Sequence, residues 1–238
     1  MLKKLVVLTG AGMSAESGIK TFRESGGLWE EYNVEEVASI EAWYKNPDLV
    51  LRFYNERRRQ LEAALPNAGH TGLAALEKDY DVHIITQNID NLHERAGSTK
   101  VLHLHGLLTR ARSSNNPGLV MDIGYRDLIK GEEAPDGAPL RPDIVWFGEA
   151  VPAMEEAAET ASGAEIFVVI GTSMNVYPAA GLIHYVPETA FVFIIDPNPV
   201  PVWSHHKIEF IRKGAGEGVA ILAEKLNKIE VIGNRQRQ

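Results

Sequence analysis

The sequence predicts an α/β protein: a Rossmann-like parallel sheet with helices on both faces, plus a small second lobe built without zinc. Three observations carry this expectation. Five apolar, β-rich runs alternate with helix-compatible stretches, each run leads into a Gly-bearing or polar stretch, and Cys is absent from all 238 residues. Unbroken apolar runs mark strands buried on both faces, as in a helix-covered parallel sheet. Without Cys there is no disulfide, no thiol nucleophile and no Cys-based zinc site.

The first run, Leu5-Val6-Val7-Leu8, leads into LTGAGMSAESGIKTFR, residues 8–23. Gly10, Gly12 and Gly18 let the chain turn tightly and let another group approach the backbone closely. The helix-compatible residues 13–17 complete a strand, a Gly turn and a helix N-terminus. That arrangement aims unpaired N–H groups and a positive dipole end at an anion, typically a phosphate. Packing of the turn itself is the alternative. The other four runs are residues 82–86, 101–104, 166–170 and 190–195, followed by TQNIDN, HG, GTS and DPN. Ligands of open parallel sheets sit at the carboxyl ends of the strands, so these stretches are expected to converge on one crevice. Residues 32–65 and 107–146 interrupt the alternation and are assigned to the small lobe. Residues 1–31, 66–106 and 147–238 form the large lobe of what reads as a single unit. Residues 113–118 (SSNNPG) and 131–142 have loop composition.

Apolar content of 45% and charged content of 24% are those of an ordinary soluble globular protein. A net charge of −8 offers no basic excess to displace counterions, so direct nucleic-acid binding is not expected. Acidic character suits basic partners such as lysine-rich peptides, and it also serves solubility. The apolar run after Met1 is too short for a signal peptide, and no later run is long enough to span a membrane. A cytoplasmic protein without membrane contact is the expectation.

Several residues carry chemistry. Gln87, Asn88 and Asp90 follow a buried strand, where amide and carboxylate groups can bond a carboxamide and ribose hydroxyls; capping the helix near Asp90 is the competing role for that Asp. His103 and His105 share one strand face, which leaves a His-x-His metal pair open, with no third ligand nearby in sequence. His105 stands at the strand's carboxyl end before Gly106, and a neutral imidazole there is suited to moving a proton at pH 7. His103, His70, His184 and the His205-His206 pair read as packing residues. On the helix of residues 46–65, Val50, Phe53, Tyr54, Arg57, Leu61 and Ala64 form one stripe. Arg57 therefore falls on the apolar face, while Arg58 and Arg59 have Glu62 at helical spacing. Arg57 finds a carboxylate elsewhere in the fold, or it awaits one on a substrate beside the Tyr54 hydroxyl. Residues 143–149, DIVWFGE, end in Gly-Glu and read as a sheet edge that a peptide can join. Trp146 and Phe147 fit an interlobe core equally well.

GAGMSAESGIKTFR followed by GGLW, then PNAGH, TQNIDNLHERAG, LHG, DIVWFGE and GTS, resembles the sirtuins, the NAD-dependent protein deacylases, in order along nearly the whole chain. The resemblance implies a large NAD-binding lobe, a small lobe and an acyl-lysine peptide in the cleft between them. It implies that Gly10, Ala11, Gly12, Ala15, Thr21, Phe22 and Arg23 line the dinucleotide, with Phe22 and Arg23 at the nicotinamide ribose. Asn88 and Asp90 then contact the nicotinamide end, Gln87 its ribose, and Gly171, Thr172 and Ser173 the dinucleotide's middle. Asp196, Asn198, Gly214 and Ala215 match the adenosine contacts. Val145, Phe147, Gly148 and Glu149 match the backbone pairing with the peptide. Asn88 and His105 match the catalytic pair, His105 as the base that activates a ribose hydroxyl after the acyl oxygen has displaced nicotinamide. The products implied are free lysine, nicotinamide and O-acyl-ADP-ribose. Sirtuins that remove succinyl, malonyl or glutaryl groups carry the same Tyr-x-x-Arg as Tyr54 and Arg57. Two features depart from the family: the two Cys pairs that commonly hold a structural zinc are absent, and Lys20 replaces the usual Pro. Mono-ADP-ribosyl transfer to protein from the same NAD site, or a non-catalytic NAD or ADP-ribose sensor, are the other functions this sequence admits.

Overall fold

The computed structural model describes residues 2–20, 33–201 and 207–235, with side chains of the last helix through Lys228. Strand β1 (Lys3–Thr9) opens the chain and is followed by two short 3₁₀ turns, Ala11–Met13 and Ala15–Ser17. The helix N-terminus expected at residues 13–17 is therefore replaced by two tight turns, the second closed by Gly18 at φ 81°. Helices α1 (Val34–Val37), α2 (Ile40–Lys45), α3 (Pro47–Ala63) and α4 (Ala68–Leu76) precede β2 (Tyr80–Thr86), α5 (Leu92–Arg95) and β3 (Val101–His103). Strands β4 (Gly106–Ser113), β5 (Val120–Asp122) and β6 (Leu140–Ile144) come next. The chain continues with α6 (Met154–Ser162), β7 (Ile166–Ile170), β8 (Phe191–Ile195), β9 (Ile208–Ile211) and α7 (Ala215–Arg235).

Six strands form one parallel sheet in the order β3-β2-β1-β7-β8-β9. All five strands expected from apolar runs are present. The sixth, β9, escaped detection because Ile208-Glu209-Phe210-Ile211 lies at the sheet edge, with only Ile211 fully buried. Alternate residues of each central strand enter opposite cores, as a period of two requires. Val6, Leu8, Phe167, Val169, Val192 and Ile194 pack on one face, and Leu5, Val7, Val168, Ile170, Phe193 and Ile195 on the other. Each such side chain contributes roughly 1.5–3 kcal/mol of burial free energy.

The smaller sheet is antiparallel, in the order β5-β4-β6, and α3 packs against it. Asn55 bonds both backbone groups of Leu128, at 3.0 Å each. Arg58 donates from Nε to the Leu108 carbonyl at 2.7 Å and from Nη1 to Asn55 Oδ1 at 2.5 Å. Arg58, and not Arg57, is thus the arginine of α3 whose exposure is 0%. The helix has two buried flanks: one through Val50, Phe53, Tyr54 and Leu61, the other through Leu51, Asn55 and Arg58 facing the small sheet. Burial lowers the Arg58 pKa to about 10, so it stays charged at neutral pH. Ser113 ties two loops together: its Oγ donates to Asp136 at 2.7 Å and accepts from the Asn115 and Asn116 amides at 3.1 Å.

Beneath β1, α4 and α5 bring His70 and His93 together, both buried, with ring centroids 4.8 Å apart and a tilt of 62°. His70 Nδ1 accepts from the Asn67 amide at 3.3 Å, and His93 Nε2 lies 3.2 Å from the Thr9 hydroxyl. Burial pushes the His70 pKa down to about 4, opposed by the charge of Glu94. It pushes His93 well below the usual imidazole range, helped by His70 and His103. Both rings are therefore neutral in the fold and titrate near the ordinary value of about 6.5 once the chain unfolds. For a depressed histidine pKa the stabilisation is complete above the unfolded value and fades as pH falls towards the folded one. We expect the urea midpoint to be flat above pH 7 and to fall between about pH 6.5 and 4, with His70 alone accounting for roughly 3 kcal/mol at full protonation. Equilibrium unfolding at stepped pH checks this, and His70→Gln should flatten the decline.

Candidate functional site

The carboxyl ends of the parallel strands meet where two glycine turns press together. Gly10 donates to the Ile170 carbonyl at 3.0 Å and Gly12 to the Gly171 carbonyl at 2.9 Å. Gly171 has φ +61°, and a Cβ there would lie 2.4 Å from the Met13 amide nitrogen; a Cβ on Gly10 would lie 2.7 Å from Thr172 Cβ. The bareness of this stretch is thus already required by turn-on-turn packing. The Ala11 and Thr172 amides, on the two opposed turns, have no hydrogen-bond partner among the described residues. They give an anionic group somewhere to bond. Ala15 is exposed at the second turn, Ser173 follows Thr172, and Thr21, Phe22 and Arg23 lie outside the described residues.

Asn88 is the hub of the crevice. Its Nδ2 donates to the Gly10 carbonyl at 3.0 Å and to Ser14 Oγ at 3.1 Å, and Ser14 in turn donates to Asp90 Oδ2 at 2.8 Å. Asp90 Oδ1 accepts from the Leu92 amide at 3.1 Å, so this residue satisfies the first amide of α5 while holding the Ser14 hydroxyl. Burial raises the Asp90 pKa, against the pull of those two bonds. Gln87 reaches across the crevice and donates from Nε2 to Thr172 Oγ1 at 3.1 Å. Ser14 carries as much of this network as Asn88, yet a serine in a Gly-rich stretch gives no signal of its own in the sequence.

His105 Nδ1 lies 2.9 Å from the Gln87 carbonyl. A carbonyl only accepts, so Nδ1 carries the proton and Nε2 keeps its lone pair. No described residue bonds Nε2. Burial lowers the His105 pKa, partly offset by the Gln87 bond, which leaves the ring neutral and able to accept a proton at pH 7. His103 is held differently, with Nδ1 3.2 Å from the Asn88 carbonyl and Nε2 2.7 Å from Glu94 Oε1. Among the described residues, no three of His, Asp and Glu come together as a metal-ligand set.

At the far end of the sheet, Asp196 follows β8 and accepts from the Asn198 amide at 2.8 Å. Gly214 and Ala215 begin α7, whose N-terminus is met by a residue the sequence did not single out: Glu16 accepts from the Gly216 amide at 3.1 Å. A Cβ on Gly214 would lie 2.4 Å from that carboxylate. Thus the Gly-rich loop and the last helix are joined at this end of the crevice.

In the segment expected as a peptide-pairing edge, part of the backbone is used within the fold. Strand β6 ends at Ile144, and Val145 donates to the His105 carbonyl at 3.0 Å. Phe147 donates to Ala38 at 2.9 Å and accepts from Ile40 at 3.1 Å, so both its backbone groups are used within the fold. The Glu149 carboxylate is likewise engaged, by Arg141 at 2.7 and 2.8 Å and by the Trp146 amide at 2.9 Å. Gly148, at φ +89°, packs on Ile40 and Glu41. The Val145 carbonyl and the Gly148 backbone have no hydrogen-bond partner among the described residues, and Phe147 is 50% exposed. The 38–40 segment thus lies beside Phe147 as a bridging strand partner. Tyr54 is buried and accepts from Trp146 Nε1 at 2.9 Å. Arg57, one turn on, has its guanidinium 5.1 Å from the Phe53 ring centre and 3.8 Å from Glu56.

The chain is similar to known proteins over nearly its whole length. The Sir2 family model matches residues 10–178. A Bacteroides thetaiotaomicron protein named NAD-dependent protein deacylase is 55% identical over 230 residues, covering 94% of this chain and 98% of that protein. A Helicobacter pylori protein of the same name is 50% identical over 228 residues, covering 94% and 96%. Among solved structures, a Sir2 homologue in complex with NAD superposes with a TM-score of 0.84 at 37% identity, over 96% of this chain and 91% of that one. A Sir2 variant with a deacetylated p53 peptide and 3′-O-acetyl ADP ribose gives 0.81 at 31% identity, over 94% of each chain. With the fold, the strand-end crevice and these similarities in agreement, the chain belongs to the Sir2 family.

Proposed function

We infer that this protein is an NAD-dependent protein deacylase acting on acyl-lysine side chains. The observation that carries the reading is the His105 tautomer: its proton is committed to the Gln87 carbonyl, and its lone pair is left for a substrate. NAD, when bound, supplies a ribose carbon that accepts the acyl oxygen as nicotinamide departs. The residues fit such a dinucleotide. The unbonded Ala11 and Thr172 amides, with Gly10, Gly12, Gly171 and Ser173 around them, suit its phosphates. Gln87, Asn88 and Asp90 stand at the nicotinamide end, and Asp196, Asn198, Gly214 and Ala215 at the adenosine end. In this reading Asn88 orients the nicotinamide ribose, and His105 Nε2 takes a proton from a ribose hydroxyl, which then receives the acyl group. Protein mono-ADP-ribosylation would use the same pocket, and a sensor would bind without turnover.

Two finer proposals accompany this one. The acyl group includes acidic ones of the succinyl and malonyl type, because Tyr54 and Arg57 put a hydroxyl and a guanidinium one helical turn apart. The small lobe works without zinc, supported by the absence of Cys and by the Ser113 cluster that ties its loops.

Nicotinamide release with acetyl- and succinyl-lysine peptides tests the reading. Release that depends on the acyl peptide and yields free lysine is expected; label transferred to protein, or binding without turnover, would replace it. Under the same conditions His105→Ala should lower turnover by roughly 10²–10⁴-fold, the usual worth of a general base, while NAD still binds. Arg57→Met should cost succinyl-lysine kcat/KM about 2–5 kcal/mol and leave acetyl-lysine nearly unchanged. Equal losses for both peptides would make Arg57 a structural residue.

A further inference from the structure

Trp146 lies behind the acyl-selecting pair and is fixed from three directions. The Arg141 guanidinium lies 3.7 Å from its ring centre, and the ring of Trp43 packs against it at 5.5 Å and 33°. Its backbone amide donates to Glu149 Oε2, the same carboxylate that Arg141 clasps with two nitrogens. Such a fork-on-carboxylate pair sets orientation as well as charge balance. Trp146 is 2% exposed, so the indole has little freedom to turn.

Its one side-chain polar group, Nε1–H, points to the Tyr54 oxygen at 2.9 Å. An indole nitrogen donates and never accepts, so Tyr54 must be the acceptor in that bond and its own phenolic proton must point elsewhere. No described residue accepts that proton. A buried hydroxyl whose proton lacks an acceptor is costly, and a ligand that accepts it removes the cost. Burial holds the Tyr54 pKa above its ordinary value, so the proton stays in place at any physiological pH.

We propose that Trp146 is a positioning residue for acyl selection: clamped by the Arg141–Glu149 pair, it fixes the Tyr54 hydroxyl as a donor to the carboxylate of an acidic acyl group. The proposal rests on the acidic-acyl reading of Tyr54 and Arg57 above. Without the indole N–H, the phenol can rotate and use its oxygen or its proton within the protein, and the second donor of the pair loses its aim. An acyl group without a carboxylate has nothing to lose by that change.

The test is a double-mutant cycle on the ratio of succinyl- to acetyl-lysine kcat/KM. Trp146→Phe should lower the ratio by roughly 3–10-fold, the worth of one hydrogen bond. Tyr54→Phe should lower it by at least as much, and the double variant no further than Tyr54→Phe alone. A structural role would lower both activities together and leave the ratio in place. If Trp146→Phe fails to fold, Arg141→Lys serves instead, keeping the charge while losing the stacked fork, with the same fall in ratio expected. An unchanged ratio, or full additivity in the double variant, overturns the proposal. Wild-type enzyme whose ratio is insensitive to Arg57→Met overturns the acidic-acyl reading, and this inference with it; a ratio that responds to Arg57→Met but not to Trp146→Phe overturns the inference alone.

Discussion

A Cβ on Gly171 would come within 2.4 Å of the Met13 amide nitrogen, and one on Gly10 within 2.7 Å of Thr172 Cβ. The first turn after β1 and the turn after β7 therefore touch backbone to backbone, and the architecture of the crevice follows from that contact. The two strands are neighbours in the sheet, so their turns emerge side by side. Only residues without side chains let the turns close on each other, and Gly171 must also hold a positive φ. Once closed, they leave the Ala11 and Thr172 amides without a hydrogen-bond partner among the described residues and put the Gly10 carbonyl within reach of Asn88.

From that carbonyl a single line of bonds runs through Asn88 and Ser14 to Asp90 and on to the start of α5. Every member is buried, and in a low-dielectric interior an unmatched polar group is costly, so the network is rigid as well as polar. The next carbonyls along the same segment, of Gln87 and Asn88, are met by His105 and His103. His105 is thereby locked to the same backbone segment that carries the Asn88 amide. Its protonation state is set by the fold: the carbonyl dictates the tautomer, and burial keeps the ring neutral. For the proposed proton transfer from a ribose hydroxyl, this arrangement is preorganised.

Much of this was legible in the chain because the large sheet is buried on both faces, so its strands announce themselves as apolar runs. The residues after each run mark the crevice in order, and Gln87, Asn88, Asp90, His105 and Gly171 all meet there. Edge strand β9 was not legible, since a half-exposed strand has no such run. Three further features depend on contacts that no local periodicity shows. Arg58 is buried because the small sheet closes over the second flank of α3, whereas the local stripe points to Arg57 instead. Glu149 reads as part of a peptide-pairing edge, and nothing in that stretch marks its carboxylate as the partner of Arg141. Phe147 reads as an open edge until the 38–40 segment takes its backbone. Ser14 and Glu16 sit in a stretch whose glycines draw all the attention, although their side chains bind the loop to the crevice and to the last helix.

The closed pair of glycine turns is proposed as the floor on which the dinucleotide rests. Calorimetric titration of NAD into wild type and Gly171→Ala measures it most directly. A methyl group there must push the two turns apart, so the account predicts saturable binding to wild type and its loss or severe weakening in the variant. A lower melting temperature should accompany that loss, while the circular-dichroism signature of the α/β fold persists. A Gly171→Ala protein that binds NAD with wild-type affinity would contradict the account.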